Sequence, residues 1–359
     1  MTRNVIDAIR IFKYNTNYNP PRSNYIVRIS SGDHCGWGEC ALHDAHTFNI
    51  SDAMYELYGK TVADAIAFVR TAHFPPAFIE MVELAMLDLH GNITQKSASE
   101  LLVIGGVKPV LSTATVNIKD RYAMIKRMEA AVNSGCRAIR FRLSGDFDFD
   151  IETVCAIREV LPRESVYLIG NAACAYSDAL EFTPEKLGIR LLKMYTAGLD
   201  VCEDPAEMDV EGWRALQAFV DPMPLAAERI LCPSKRAISF VDREMCHIFK
   251  LRPGSTGSIY DALQFAEHIK NIGGKIAIGD GTLIGPGCSQ WQQIAIALGA
   301  EWTESVEMSP RSDIYEEALK KSPLNIVEGM HTMIGGCPGF GLDIDESILQ
   351  FYAHQTIEP

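Results

Sequence analysis

The 359-residue sequence has no run approaching the ~18 consecutive apolar residues of a membrane span. Its opening stretch, MTRNVIDAIRIFKYN, holds no apolar segment of signal-peptide length. The ten cysteines (positions 35, 40, 136, 155, 174, 202, 232, 246, 288 and 337) stand singly, with no C-x-x-C pair. That scatter argues against a cysteine zinc site and for reduced thiols in a cytoplasmic protein. Neither a P-loop nor a G-x-G-x-x-G fingerprint occurs. Basic residues are scarce: 33 Lys and Arg against 46 Asp and Glu give a net charge of −13. A chain of that balance lacks the basic face that nucleic acid or an anionic membrane needs. A small anionic substrate stays open, because the field inside a pocket can oppose the net charge. With 47% hydrophobic and 22% charged residues the chain has the composition of a soluble globular protein. Its length predicts two domains at roughly 100–200 residues each.

The first 40 residues read as strands. VIDAIRIFKY and NYIVRISSG are β-rich, and the second leads through Gly32-Asp33 into HCGWGEC as a hairpin. Helical patterns follow in SDAMYELYGKTVADAIAFVRTA, broken at Gly59, and in PAFIEMVELAMLDLHGN, where His90-Gly91-Asn92 signals a C-cap. Strands followed by helices predict an α+β domain over residues 1–108. From Pro109 short apolar strands alternate with helices, at 110–118, 138–143, 166–172, 200–205, 224–229, 247–253, 275–281 and 302–307. Successive starts lie on the order of 25–35 residues apart, the length of a βα unit. Eight such strands predict a closed α/β barrel over 109–325. A C-terminal segment, 326–359, is expected to return to the first domain.

In such a barrel the C-terminal strand ends face one shared site. Here they carry Arg140 and Arg142, Asn171, Glu203, Glu228, Arg252 and Asp280. Arg140 and Arg142 are two apart and point the same way on a strand. Two acids and an amide on adjacent strands suit a hard cation with oxygen ligands, Mg²⁺ first among them. The competing reading makes Glu203 and Glu228 salt-bridge partners of Arg140, Arg142, Arg229 or Arg252.

These residues also carry a resemblance that covers nearly the whole chain. GWGEC (36–40), AMLDLHGN with LLVIGG, NAACAYS (171–177), EDP (203–205), RPGSTGS (252–258) and CPGFGLDIDE (337–346) resemble, in order and spacing, motifs of the enolase superfamily in its mandelate racemase/muconate lactonizing branch. The resemblance implies a (β/α)₇β modified TIM barrel under an N-terminal α+β capping domain. It implies Mg²⁺ held by Asn171, Glu203 and Glu228, a small-molecule carboxylate substrate and a homo-oligomer. Where that branch carries K-x-K on the second barrel strand this chain has Arg140-Phe141-Arg142, and Arg252 stands for the lysine of the sixth. Asn171 replaces the first metal-ligand aspartate, which removes a negative charge and weakens the implied metal site. The acid expected after the seventh strand falls near Leu283, with Asp280 close by.

Arginine stays protonated and is a poor general base, though a strong bidentate clamp for a carboxylate. Another group must then move the proton. Lys250 lies one layer below Arg252 on the same strand face, as a base or as a buried ion-pair partner. Asp280 could act as base or hold an arginine. His43 and His46 sit where the resemblance places a capping-domain specificity loop, and histidine titrates in the useful range. Cys174, Tyr176 and Cys202 adjoin the implied ligands; Tyr176 is a candidate substrate contact, with barrel packing as its competing reading. Three functions follow from these residues: an isomerase or lyase that removes a proton α to a carboxylate with or without Mg²⁺, a non-catalytic carboxylate-binding paralogue, and a metal-free arginine-centred enzyme of changed chemistry.

Overall fold

The computed structural model describes residues 4–16, 22–43, 48–102, 108–177, 183–304 and 312–359. The antiparallel strands β1 (Ala8–Thr16), β2 (Arg22–Ser31) and β3 (His34–His43) form the capping sheet, followed by helices α1 (Ile50–Tyr55), α2 (Val62–Thr71), α3 (Pro76–Thr94) and α4 (Ala98–Leu101). Helix α3 lies directly on β3. A Cβ on Gly36 or Gly38 would come within 2.2 Å of the carbonyl oxygen of Ala85 or Met81, so the GWGEC motif needs glycine where the helix backbone touches the sheet.

The barrel strands are β4 (Val110–Val116), β5 (Ala138–Arg142), β6 (Tyr167–Asn171), β7 (Val201–Glu203), β8 (Leu225–Ala227), β9 (Ile248–Leu251), β10 (Lys275–Ile278) and β11 (Trp302–Glu304). All eight run parallel, and β11 pairs with β4 to close the ring. Each strand segment expected from the sequence holds one of them; residues 305–307 of the last lie outside the described residues. Helices α5 (Arg121–Asn133), α6 (Phe147–Val160), α7 (Pro184–Ala197), α8 (Val210–Val220), the short α9 (Ser234–Ala237), α10 (Ile259–Asn271) and α11 (Pro286–Leu298) link the strands. Beyond them come α12 (Ser312–Ala318), β12 (Leu319–Lys321), β13 (Leu324–Val327), β14 (Met330–Met333), β15 (Asp343–Ile344), α13 (Glu346–Tyr352) and β16 (Gln355–Ile357). The β13–β14 hairpin straddles position 325 and pairs with β4, whereas β16 pairs with β1 and the Tyr14 hydroxyl donates to the Leu349 carbonyl at 2.6 Å. All ten cysteines are free thiols. Among the described residues no helix is long and apolar enough to cross a membrane.

The expected stop of α3 at His90-Gly91-Asn92 is not observed. The helix runs to Thr94 and is capped by Gln95 in the left-handed conformation. Gly91 is glycine for a different reason: a Cβ there would sit 2.5 Å from the Gly339 backbone, where the C-terminal segment crosses the helix.

Helix α3 is buried on nearly every side, and its acids are buried with it. Glu80 and Glu83 face the barrel's backbone, and Asp88 faces that of β3 and the C-terminal segment. Glu80 accepts from the N–H groups of Gly254, Thr256 and Gly257 and from the Thr256 hydroxyl, at 2.6–3.1 Å. Glu83 accepts from Ile259 N at the start of α10, and Asp88 from Trp37 N and Phe340 N. On β3, Glu39 accepts from the N–H groups of Ile284, Gly285 and Gly287 around the start of α11. The cap therefore grips the loops that follow β9 and β10, satisfying donors that would otherwise be buried without partners.

Burial pushes the Glu39, Glu80 and Asp88 carboxyls up to about 7, against the pull of their hydrogen-bond donors. A carboxyl held above its unfolded value of about 4 contributes stability that is complete below that value and lost as pH rises through the folded one. The melting temperature is therefore expected to fall between pH 5 and pH 8 in scanning calorimetry, and a rise across that range would contradict the assignment. Glu80→Ala strands four donors and should cost about 2–4 kcal/mol at either pH.

Candidate active site

Alternation along the strands sorts the barrel interior into layers. Ile169, Val201, Ala226, Ile248, Ala277 and Trp302 pack together as an apolar floor. Two residues further along five of these strands stand Asn171, Glu203, Glu228, Lys250 and Glu304, and the Arg140 side chain of β5 reaches into the same layer. Two further again, Arg142 and Arg252 stand at the rim. Placing six polar or charged side chains in one buried layer demands mutual neutralisation.

The geometry supplies it. Arg140 donates to both Glu203 oxygens, Nε to Oε2 at 2.8 Å and Nη2 to Oε1 at 2.7 Å, a bidentate pair. Its Nε also lies 3.1 Å from Glu304 Oε1. Lys250 Nζ is 2.6 Å from Glu304 Oε1, 2.8 Å from Glu228 Oε2 and 3.2 Å from Glu203 Oε1. Burial alone would raise the Glu203 carboxyl, but Arg140 and Lys250 outweigh it and hold Glu203 well below the usual carboxylate range. At Glu304 burial wins and the carboxyl is raised. Burial and Arg140 would lower the Lys250 ammonium, yet the surrounding carboxylates raise it. It is held as a cation.

Above this layer opens a cavity of about 610 Å³. Its wall carries six cationic side chains, Arg22, Arg140, Arg142, Arg229, Lys250 and Arg252, against five carboxyls, Glu203, Asp204, Glu228, Asp280 and Glu304. Burial, helped by the charges of Glu228 and Glu203, pushes the Asp204 carboxyl up to about 7. Arg252 reaches Glu228 only at 3.5 Å, and Arg229 donates to the Ala173 carbonyl at 3.3 Å. Arg142 makes no ion pair or hydrogen bond among the described residues; burial, and then the adjacent Arg140 charge, lower its pKa. The rim is thus over-supplied with positive charge, a setting that favours an anion.

Arg140, Arg142, Asn171, Glu203, Glu228, Lys250, Arg252 and Asp280 all line this one cavity. Tyr176 does not. Ala173 and Cys174 both turn through left-handed conformations after β6. The chain is redirected so that the Tyr176 hydroxyl donates to Asp150 at 2.7 Å and its ring stacks on Phe147, 4.0 Å between centroids. The side chain of His43 and all of His46 lie outside the described residues. Glu304, Arg22 and Asp204, which the sequence does not point to, also line the cavity, as does Arg229, which it offers only as an ion-pair partner of the acids. Glu304 was the accessible one, since WTESVE is the eighth strand and the strand-end rule applies to it as to the others.

The donor set does not fit the Mg²⁺ that the motif resemblance implies. A hard divalent ion needs several oxygen ligands at about 2.0–2.1 Å. Both Glu203 oxygens are held by Arg140, the Glu228 oxygens face Lys250 and Arg252, and Asn171 Oδ1 accepts from Ala173 N at 2.8 Å. Among the described residues no group of three or more His, Cys, Asp or Glu side chains is arranged to hold a metal ion.

The model of the family described as "Enolase C-terminal domain-like" matches residues 123–348. The chain belongs to that family. Its architecture is that of an enolase-superfamily TIM barrel with a capping domain, as the motifs implied. No curated protein matches the chain in sequence. Among solved structures, an enolase from Sargasso Sea environmental sequencing superposes with a TM-score of 0.80 at 15% identity, covering 100% of this chain and 99% of that one. An L-talarate dehydratase from a Polaromonas species, complexed with Mg and L-glucarate, gives 0.77 at 17% identity and covers 99% of each chain. A muconate lactonizing enzyme from Pseudomonas fluorescens, complexed with muconolactone, gives 0.78 at 18% identity over 98% of this chain and 100% of that one. At these identities the likeness is one of fold, and the family's variable chemistry has to be argued from the site.

Removing one partner from a buried charge cluster leaves the others uncompensated. Glu203→Gln, which deprives both Arg140 and Lys250, is expected to cost about 3–5 kcal/mol in denaturant unfolding. Glu228→Gln should cost less, because Arg252 is partly exposed. A Glu203→Gln variant within about 1 kcal/mol of wild type would contradict the network.

Proposed function

We propose that the protein is an isomerase or lyase that removes a proton α to the carboxylate of a small acid, with the developing charge met by arginine. The observation that carries this reading is Arg142, a guanidinium without a partner among the described residues, at the rim of a cavity whose floor is already neutralised. Arg142 and Arg252 bind the substrate carboxylate, and Arg229 adds a third positive charge at the same rim. As the α C–H bond breaks, its electron pair delocalises into the carboxylate as an enolate, whose oxygens gain charge where the guanidinium groups already stand. Such preorganised donors stabilise the transition state without reorganising.

Asp280 is the candidate base. It follows β10 in the cavity wall, and its Oδ1 accepts from Thr282 N at 2.9 Å, which fixes the carboxylate's orientation. Lys250 is unsuited to the role, because three carboxylates hold its proton. In an isomerase Asp280 returns the proton to a different carbon, at the far end of a double bond conjugated with the enolate, so that the double bond shifts. In a lyase the enolate's pair forms the Cα–Cβ double bond, the β-substituent departs with the electrons of its own bond to Cβ, and Asp280 delivers the proton to it. The dehydratase and lactonizing enzyme of similar fold support this class of reaction.

Two further cavities flank the mouth. One of about 630 Å³, walled by Ile118, Met124, Leu143 and Phe149, shares Arg140, Arg142 and Asn171 with the central cavity. The other, about 640 Å³, runs beneath the cap past Leu42, Phe48 and Phe74 and shares Arg22 and Arg252. An acid with an apolar extension fits this arrangement better than a compact polyhydroxy acid.

Exchange of α-deuterium, followed by NMR over a panel of small carboxylic acids, tests the proposal. At least one acid should exchange, with the rate lowered at least 100-fold by Asp280→Asn and the apparent affinity weakened about tenfold by Arg142→Gln. Saturable binding of acids with no exchange anywhere in the panel would favour a non-catalytic carboxylate-binding protein instead.

A further inference from the structure

We propose that the Lys250 ammonium is the resident cation of this site, occupying the place between Glu203 and Glu228 that the family motifs assign to a divalent metal. The seat is built for it. Lys250 rises from β9 one layer beneath Arg252, and its side chain passes Gly279, where a Cβ would come within 3.0 Å of its Cε. Glycine at that inward-facing position leaves room for the lysine stem. An ammonium has three N–H donors, and three carboxylates from three different strand ends lie within 3.2 Å of the nitrogen. Arg140 then closes the remaining oxygens of Glu203 and approaches Glu304.

The charge change is consistent with the exchange. Asn171 stands where the motif carries an aspartate, one negative charge fewer. An ammonium in place of a divalent ion is one positive charge fewer. The two replacements offset each other, so the layer keeps its balance with no metal present. A divalent ion entering this layer would have to displace a buried ammonium, leaving it unpaired among apolar neighbours. This assignment specifies the cation in the proposed function, but its test needs no substrate, so each can fail without the other.

The experiment is Mn²⁺ titration by electron paramagnetic resonance on the full-length protein stripped with chelator. Wild type and Asn171→Asp should both leave Mn²⁺ free up to millimolar concentration. Lys250→Ala combined with Asn171→Asp removes the ammonium and restores the acid, and should bind one Mn²⁺ at least 100-fold more tightly than wild type. Its melting temperature should rise with added Mn²⁺ while that of wild type does not move. Should the double variant fail to fold, the other two proteins decide the matter: free Mn²⁺ in both supports the assignment. Stoichiometric Mn²⁺ binding by wild type that Glu203→Gln abolishes would overturn it, as would a folded double variant that binds no metal.

Discussion

A lysine ammonium surrounded by carboxylates near the middle of a barrel is the interaction on which the rest of the active-site account depends. Once Lys250 is placed, Glu203, Glu228 and Glu304 have a partner, Arg140 has two of those carboxylates to bridge, and the layer above can be given over to an excess of arginine. Without it, Arg140 alone would face three buried acids. The charge is arranged vertically. An apolar floor of Ile169, Ile248 and Trp302 supports a neutralised charged layer, and the positive excess appears only at the rim, where a substrate meets it.

The same logic governs the join between cap and barrel. Glu39, Glu80 and Asp88 are buried without a cation among the described residues, Glu83 is paired with Arg70, and all four accept backbone N–H groups. Two of the gripped loops follow the strands that carry Lys250, Arg252 and Asp280. Cap, cavity and charged layer are therefore mechanically linked: loosening the Glu80 contacts would shift the loop after Arg252 as well as weaken the domain interface.

The barrel was readable because the βα units announce themselves by a short apolar run and an amphipathic helix that stops at glycine, as after α5, α7, α10 and α11, or at proline, as after α6 and α8. The inward charged layer was mostly readable too, since alternation fixes which side chains face inward. Glu304 is missed because the sequence extends the expected strand to position 307, which puts its end three residues beyond the observed one. What alternation does not fix is which cation reaches which acid. The side chain of Lys250 could end beside any of several strands, and Gly279, which lets it reach the centre, gives no local signal. Tyr176 and Gly91 show the opposite error: Tyr176 stands next to an implied ligand but is turned away by two left-handed residues, and Gly91 resembles a helix cap but marks a backbone crossing. Both depend on contacts with chain far away in sequence. Arginine in place of lysine was the most informative local feature, because its permanent charge restricts what the site can do.

The most direct measurement is a crystal structure from crystals soaked in Mn²⁺, with anomalous data collected at the manganese edge. The account predicts no anomalous peak between Glu203 and Glu228, with the Lys250 nitrogen within hydrogen-bonding distance of three carboxylates. A peak coordinated by Glu203 and Glu228, with Lys250 withdrawn from them, would contradict it.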